Sequence, residues 1–153
     1  MHDLLKPARP GAAAEAIAAE RWERGGTRLR VFTPAGEAGP GERETLRGLA
    51  LAALADEGAA LLRGFGADRL GGFHDFVAGF GRPLVSYAFA STPRTRLGQG
   101  IYSSTEYPAH QWIDQHNEQS YTSSWPSWIW FHCEQAAAEG GATPIADSRE
   151  VYR

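Results

Sequence analysis

From Pro83 onward the chain is written as short segments rich in Tyr, Phe, Ile, Trp and Ser, separated by Pro and Gly. No other feature constrains the fold as strongly. The texture leaves no room for long helices and suits a sandwich or barrel of short strands. The expected strands are 85–89, 99–103, 111–118 and 127–133. Within the last, Trp128-Ile129-Trp130-Phe131 is apolar on both faces, so an interior strand is expected there. Glu139-Gly140-Gly141-Ala142-Thr143-Pro144 reads as a loop.

The preceding sequence has a different period. Glu42–Glu57 places Leu46, Leu49, Ala50, Ala53 and Leu54 at three- and four-residue spacing, with Gly58 as a stop, and is expected to be an amphipathic helix. Residues 59–65 read as a buried strand. A second helix is expected over 70–80, burying Phe73, Phe76, Val77 and Phe80 and ending at Gly81. Helix, strand and helix make an α/β lead-in. Residues 1–40 read as a peripheral segment: prolines and glycines surround a short Ala-rich helix within 12–19 and the strand-like Leu29-Arg30-Val31-Phe32. The main body is then 41–153. Asp147-Ser148-Arg149-Glu150 has the form of a capping box, with Asp147 as N-cap. Isolated helices shorter than about 12 residues are marginal, so the chain is expected to stop inside a larger fold.

Composition sets the class. A length of 153 residues fits one domain by the usual prior of about 100–200. Apolar residues at 42% and charged ones at 22% exclude a disordered tail or a fibrous repeat. Fifteen Lys and Arg against 18 Asp and Glu give a net charge of -3, so there is no electrostatic basis for a nucleic-acid or anionic-membrane partner. The lone cysteine, Cys133, excludes an internal disulfide framework and a multi-cysteine zinc site, and fits a reducing compartment. It is expected to be a buried small apolar residue. The longest apolar run, 49–55, is far shorter than the roughly 20 residues of a membrane helix. The N-terminus lacks the pattern of a signal peptide. A soluble, cytoplasmic protein is expected.

The candidate metal site is His116-Asn117-Glu118, at the end of an expected strand. Strand side chains alternate, so His116 and Glu118 would emerge on one face, about two residue rises apart. An imidazole and a carboxylate there can take adjacent positions on a metal. A second histidine from elsewhere would complete the 2-His-1-carboxylate triad of non-haem Fe(II) oxygenases. Spacing alone does not single the pair out, because His132-Cys133-Glu134 repeats it and solvated strand-end groups read the same way. His132 and Cys133, adjacent on a strand, would face opposite ways and cannot form a dyad. Trp112, Trp125, Trp128 and Trp130 are expected in the core or a pocket wall. His74 and His110 are expected as surface or structural residues.

Several stretches together carry a resemblance. They are Tyr102-Ser103-Ser104-Thr105-Glu106-Tyr107-Pro108, His116-Asn117-Glu118-Gln119-Ser120-Tyr121, Trp125-Pro126, Phe131, Cys133 and Gly140-Gly141-Ala142-Thr143-Pro144-Ile145-Ala146-Asp147-Ser148-Arg149. In that order the series resembles the TauD/TfdA family of Fe(II)- and 2-oxoglutarate-dependent dioxygenases, from about Ala59 to the last residue. The resemblance implies a mixed α+β fold: a partial double-stranded β-helix (jelly-roll, clavaminate synthase-like) core with the N-terminal α/β lead-in. It implies Fe(II), 2-oxoglutarate as co-substrate, and O2. His116 and Glu118 match two iron ligands, and Thr143 matches the threonine that hydrogen-bonds a carboxylate of 2-oxoglutarate.

Family members that halogenate replace the acidic ligand with a small residue, so Glu118 points to hydroxylation or desaturation. The family's distal histidine and 2-oxoglutarate-binding arginine have no counterpart here. The resemblance thus covers the N-terminal half of a catalytic domain. The variant around His116 is similar to members acting on amino acids, which implies a small carboxylate-bearing substrate. Tyr102, Ser104 and Glu106 are expected to line its pocket. Two alternatives stand: an incomplete fragment or split half needing a second chain or a homo-oligomer, and a β-sandwich binding module in which His116 and Glu118 only hydrogen-bond.

Overall fold

Gly25 and Gly26 have φ of 56° and 80°, the two positive values that a tight two-residue hairpin loop demands. In the computed structural model, which describes residues 16–86, 93–98, 100–104, 108 and 110–153, this loop joins β1 (Ile17–Arg24) to β2 (Thr27–Pro34). The strands pair antiparallel from Arg24↔Thr27 to Ile17↔Pro34. This corrects the C-terminal part of the Ala-rich helix expected within 12–19, since Ile17, Ala18 and Ala19 lie in β1, while 12–15 lie outside the described residues. A full ladder to β2 and the burial of Ile17 override the helical preference of alanine.

The helix α1 (Glu42–Glu57) stands where its periodicity puts it, with Leu46, Ala50 and Ala53 buried. It ends at Gly58, which takes φ 81° and donates its N–H to the Leu54 carbonyl at 3.1 Å. The chain then enters β3 (Ala60–Leu62), parallel to β2 with Val31↔Leu61 in register. The sheet order is β1-β2-β3, α1 packs against β2 and β3, and Val31 and Phe32 of β2 are buried. The strand is shorter than the expected 59–65. One further bond, from Arg63 N–H to the Phe32 carbonyl, extends it before Gly64 turns away at φ 79°. A single-turn helix α2 (Ala67–Leu70) follows.

Two carboxylates are buried in this unit, and each is met by arginine. Glu57 accepts from Arg30 at 2.7 Å and from Arg21 at 2.9 Å, and Glu42 accepts from both Nε and Nη2 of Arg69. Hydrogen bonding to these guanidinium groups outweighs desolvation, so both carboxyls sit below their ordinary pKa. Residues 147–153 belong to the same unit. Asp147 caps α4 (Ser148–Val151) by accepting the Arg149 N–H at 2.9 Å. Only half of the expected capping box forms. Glu150 pairs with Arg153, and the Asp147 N–H donates instead to Thr27 Oγ1 at 3.2 Å.

The second unit covers residues 73–146. Its helix α3 (Phe73–Ala78) is shorter than the expected 70–80, because Gly71 and Gly72 take φ of 77° and 89° immediately before it. Phe76 and Val77 are buried as expected. Phe80 meets Phe76 edge-on at 5.5 Å and the rings of Trp130 and Trp128 at 4.6 and 6.3 Å. The strands β4 (Arg96–Gly98) and β5 (Ile101–Tyr102) form a short antiparallel pair with a register shift. Only β5 falls within the expected strand 99–103, of which Gln99 lies outside the described residues; β4 precedes it, and of the expected strand 85–89 residues 85 and 86 are irregular and 87–89 lie outside the described residues.

The strands expected over 111–118 and 127–133 are not formed; both segments are irregular. In the second, Trp128 and Trp130 are half-buried against Phe80, while Ile129 and Phe131 are 46% and 69% exposed. A run apolar on both faces becomes an interior strand only with ladder partners and cover on both sides, and among the described residues it has neither. Trp112 and Trp125 are 85% and 66% exposed rather than packed, and Cys133 is exposed rather than buried. The class is mixed α+β, with sheets of three and two strands among the described residues. Among the described residues no helix is long and apolar enough to cross a membrane.

Candidate metal centre

His116 is exposed on irregular backbone, and its Nδ1 lies 2.7 Å from the Asp114 carbonyl oxygen. A carbonyl can only accept, so Nδ1 carries a proton, and in the neutral imidazole Nε2 then keeps its lone pair. That is the arrangement by which a metal-binding imidazole is usually oriented. Two residues on, Glu118 enters a turn that Gln119 continues at φ 53°, the single positive φ of a non-glycine among the described residues. The left-handed conformation costs about 1–2 kcal/mol for a residue with a Cβ. Thr122 Oγ1 sits 2.9 Å from the Gln119 carbonyl and 2.6 Å from that of Ser124, which braces the reversal.

The Glu118 carboxylate is partly covered, with 21% side-chain exposure, and its Oε1 lies 3.4 Å from Arg94 Nη2. Arg94 is 24 residues away, and no local spacing rule would have found it. An available imidazole nitrogen and a carboxylate fit two positions on a hard or borderline divalent metal. Among the described residues no group of three His, Cys, Asp or Glu side chains comes together. His132 stacks on Phe73 with centroids 5.0 Å apart and planes 15° from parallel. That packing contact suits a structural histidine.

Thr143 is exposed in the expected loop, which Gly140 and Gly141 turn at φ of 70° and 69°. A Cβ at Gly141 would stand 2.8 Å from that of Ala137, so the loop needs glycine there. No hydrogen bond joins Thr143 to His116 or Glu118 among the described residues. Tyr102, on β5, lines a cavity of about 380 Å³ with Arg82, Arg96, His74 and Ser86. Its hydroxyl lies 3.5 Å from Ser86 Oγ. Arg82 stacks over the Trp128 ring at 4.2 Å, Arg96 donates to the Gly98 carbonyl, and among the described residues no acidic side chain lines the cavity. Ser104 is exposed outside this lining, and Glu106 lies outside the described residues.

The dapdiamide synthesis protein DdaC of Enterobacter agglomerans is 40% identical over 98 residues, 64% of this chain and 30% of that relative. A clavaminate synthase-like protein of Arabidopsis thaliana is 35% identical over 99 residues, 65% of this chain and 30% of that relative. The chain therefore spans less than a third of the length of these curated relatives. No solved structure matches. The sequence model of the taurine catabolism dioxygenase TauD, TfdA family matches residues 36–153, a span that includes His116, Glu118 and Thr143. The chain belongs to the taurine catabolism dioxygenase TauD, TfdA family.

Proposed function

We propose that a protein carrying this sequence is an Fe(II)- and 2-oxoglutarate-dependent dioxygenase acting on an amino acid or related carboxylate-bearing metabolite. The observation that carries the reading is His116, its Nε2 left available by the Nδ1–H bond to Asp114, two residues from Glu118 within the matched family span. Iron, O2 and 2-oxoglutarate supply the oxidation: the co-substrate gives succinate and CO2, and the second oxygen atom enters a substrate C–H bond. The chain's own residues bind and orient. His116 Nε2 and one oxygen of Glu118 would hold the metal, and the Thr143 hydroxyl would donate to a carboxylate of 2-oxoglutarate. Arg82 and Arg96, two guanidinium groups on the lining of the Tyr102 cavity, suit the carboxylate of a small substrate.

The test is Fe(II)-dependent formation of succinate from 2-oxoglutarate by a protein that carries this sequence within the length of its relatives. His116→Ala or Glu118→Ala should abolish it. Turnover retained in either variant removes the reading. A second reading rests on the missing third donor among the described residues. It makes the 153-residue chain by itself catalytically incomplete, in need of a complementing chain. That chain, purified anaerobically and given Fe(II), 2-oxoglutarate and O2, should then make no succinate; catalytic succinate formation would contradict it.

A further inference from the structure

We infer that Arg94 is a positioning residue for Glu118: it holds one carboxylate oxygen and so presents only the other to a metal ion. The inference rests on the metal-site reading above. Residues 110–117 are all exposed, yet Glu118 and Arg94 are covered to 21% and 18% side-chain exposure and face one another. Covering a carboxylate to that degree costs desolvation unless a donor meets it. The guanidinium supplies the donor through Nη2, at 3.4 Å from Oε1.

Contact is made with one oxygen only. Among the described residues Glu118 Oε2 has no hydrogen-bond partner, so it is the oxygen left to bind. A carboxylate held in this way takes one coordination position rather than two. A facial site needs that economy, because it must keep positions open for the co-substrate and O2. The contact also removes rotamer freedom from a side chain that follows exposed, irregular backbone. Two effects oppose each other here. The positive charge of Arg94 repels a metal ion, and its hold on Oε1 orients Oε2 toward one. At a partly exposed position solvent screens the repulsion, whereas outer partners of metal ligands are typically worth 10–100-fold in metal affinity. Orientation should win.

The test uses the 153-residue chain and Ni(II) alone, which binds nitrogen and oxygen sites more tightly than Fe(II), by isothermal titration with circular dichroism to check folding. Arg94→Gln should weaken Ni(II) binding about tenfold. Arg94→Lys, which keeps the charge and loses the fork, should fall between that variant and the parent. In a Glu118→Ala background, Arg94→Gln should change nothing further. Affinity unchanged or increased in folded Arg94→Gln overturns the inference and makes the guanidinium a competitor for the carboxylate. If Arg94→Gln fails to fold, Arg94→Lys decides alone: weaker binding supports the positioning role, and parental binding overturns it. If His116→Ala and Glu118→Ala both leave affinity unchanged, the metal-site reading itself fails and the inference falls with it.

Discussion

The two histidines with a glutamate two residues on, His116 and His132, show how little a spacing says by itself. His116 donates Nδ1–H to a backbone carbonyl and leaves Nε2 free, whereas His132 lies flat on Phe73. Their variants should therefore behave differently. His132→Ala should cost about 0.5–1.5 kcal/mol of stability through the lost ring contact and leave metal affinity intact, as chemical denaturation and titration would record. The core offers a larger effect. Leu46 is fully buried, so Leu46→Ala should destabilise the chain by about 2–5 kcal/mol in urea unfolding. A loss below about 1 kcal/mol would mean that α1 does not pack on the sheet as described. At this scale His116, Glu118 and Thr143 could be picked out from the chain alone, as types in an order. Arg94 could not, because its contact with Glu118 spans 24 residues and follows no helical or strand period.

Elements were legible where one local rule governed them. The helix α1 runs from Glu42 to Glu57 because its apolar stripe and the stop at Gly58 agree. The hairpin β1–β2 was hidden by alanines, although Gly25-Gly26 before the strand-like Leu29-Arg30-Val31-Phe32 was the available signal. That loop can be tested. Gly26 has φ 80°, and a Cβ there would lie 2.7 Å from Glu150 Oε2. Gly26→Ala should cost about 1–2 kcal/mol, whereas Gly36→Ala, with open space and no positive φ, should be nearly neutral. Equal thermal midpoints for the two variants would contradict the hairpin. The segments 111–118 and 127–133 have strand composition without strand structure. β-propensity expresses packing against neighbours, and a propensity with no ladder partner stays unrealised.

At the scale of the whole chain, pH should act through carboxylates paired with arginine. Glu57 and Glu42 have folded pKa values lowered from the ordinary 4.5, and Asp147 from 3.8 to about 2, chiefly through Arg30, Arg69 and Arg149 respectively. A lowered folded pKa means that the unfolded state takes up protons first. The stabilisation is therefore complete above about pH 4.5 and is lost as pH falls below it, the share from Asp147 going as pH approaches about 2. Glu57→Gln should flatten the pH dependence of the urea midpoint between pH 5 and 3, roughly the window of acid loss, and an unchanged slope would contradict the burial of that carboxylate with Arg30 and Arg21. In the second unit Trp112, Trp125 and Phe131 are 85%, 66% and 69% exposed. Large exposed apolar surface favours association, so light scattering of the isolated chain should rise with concentration.

The central claim is that His116 Nε2 and Glu118 are metal ligands, and nuclear magnetic resonance of the isotopically labelled chain under anaerobic Fe(II) titration tests it most directly. Paramagnetic broadening should appear first at the His116 ring and the Glu118 side chain, with His74, His110 and His132 unaffected at the same Fe(II) level. Broadening centred on His132, or spread evenly over the exposed histidines, would contradict the account.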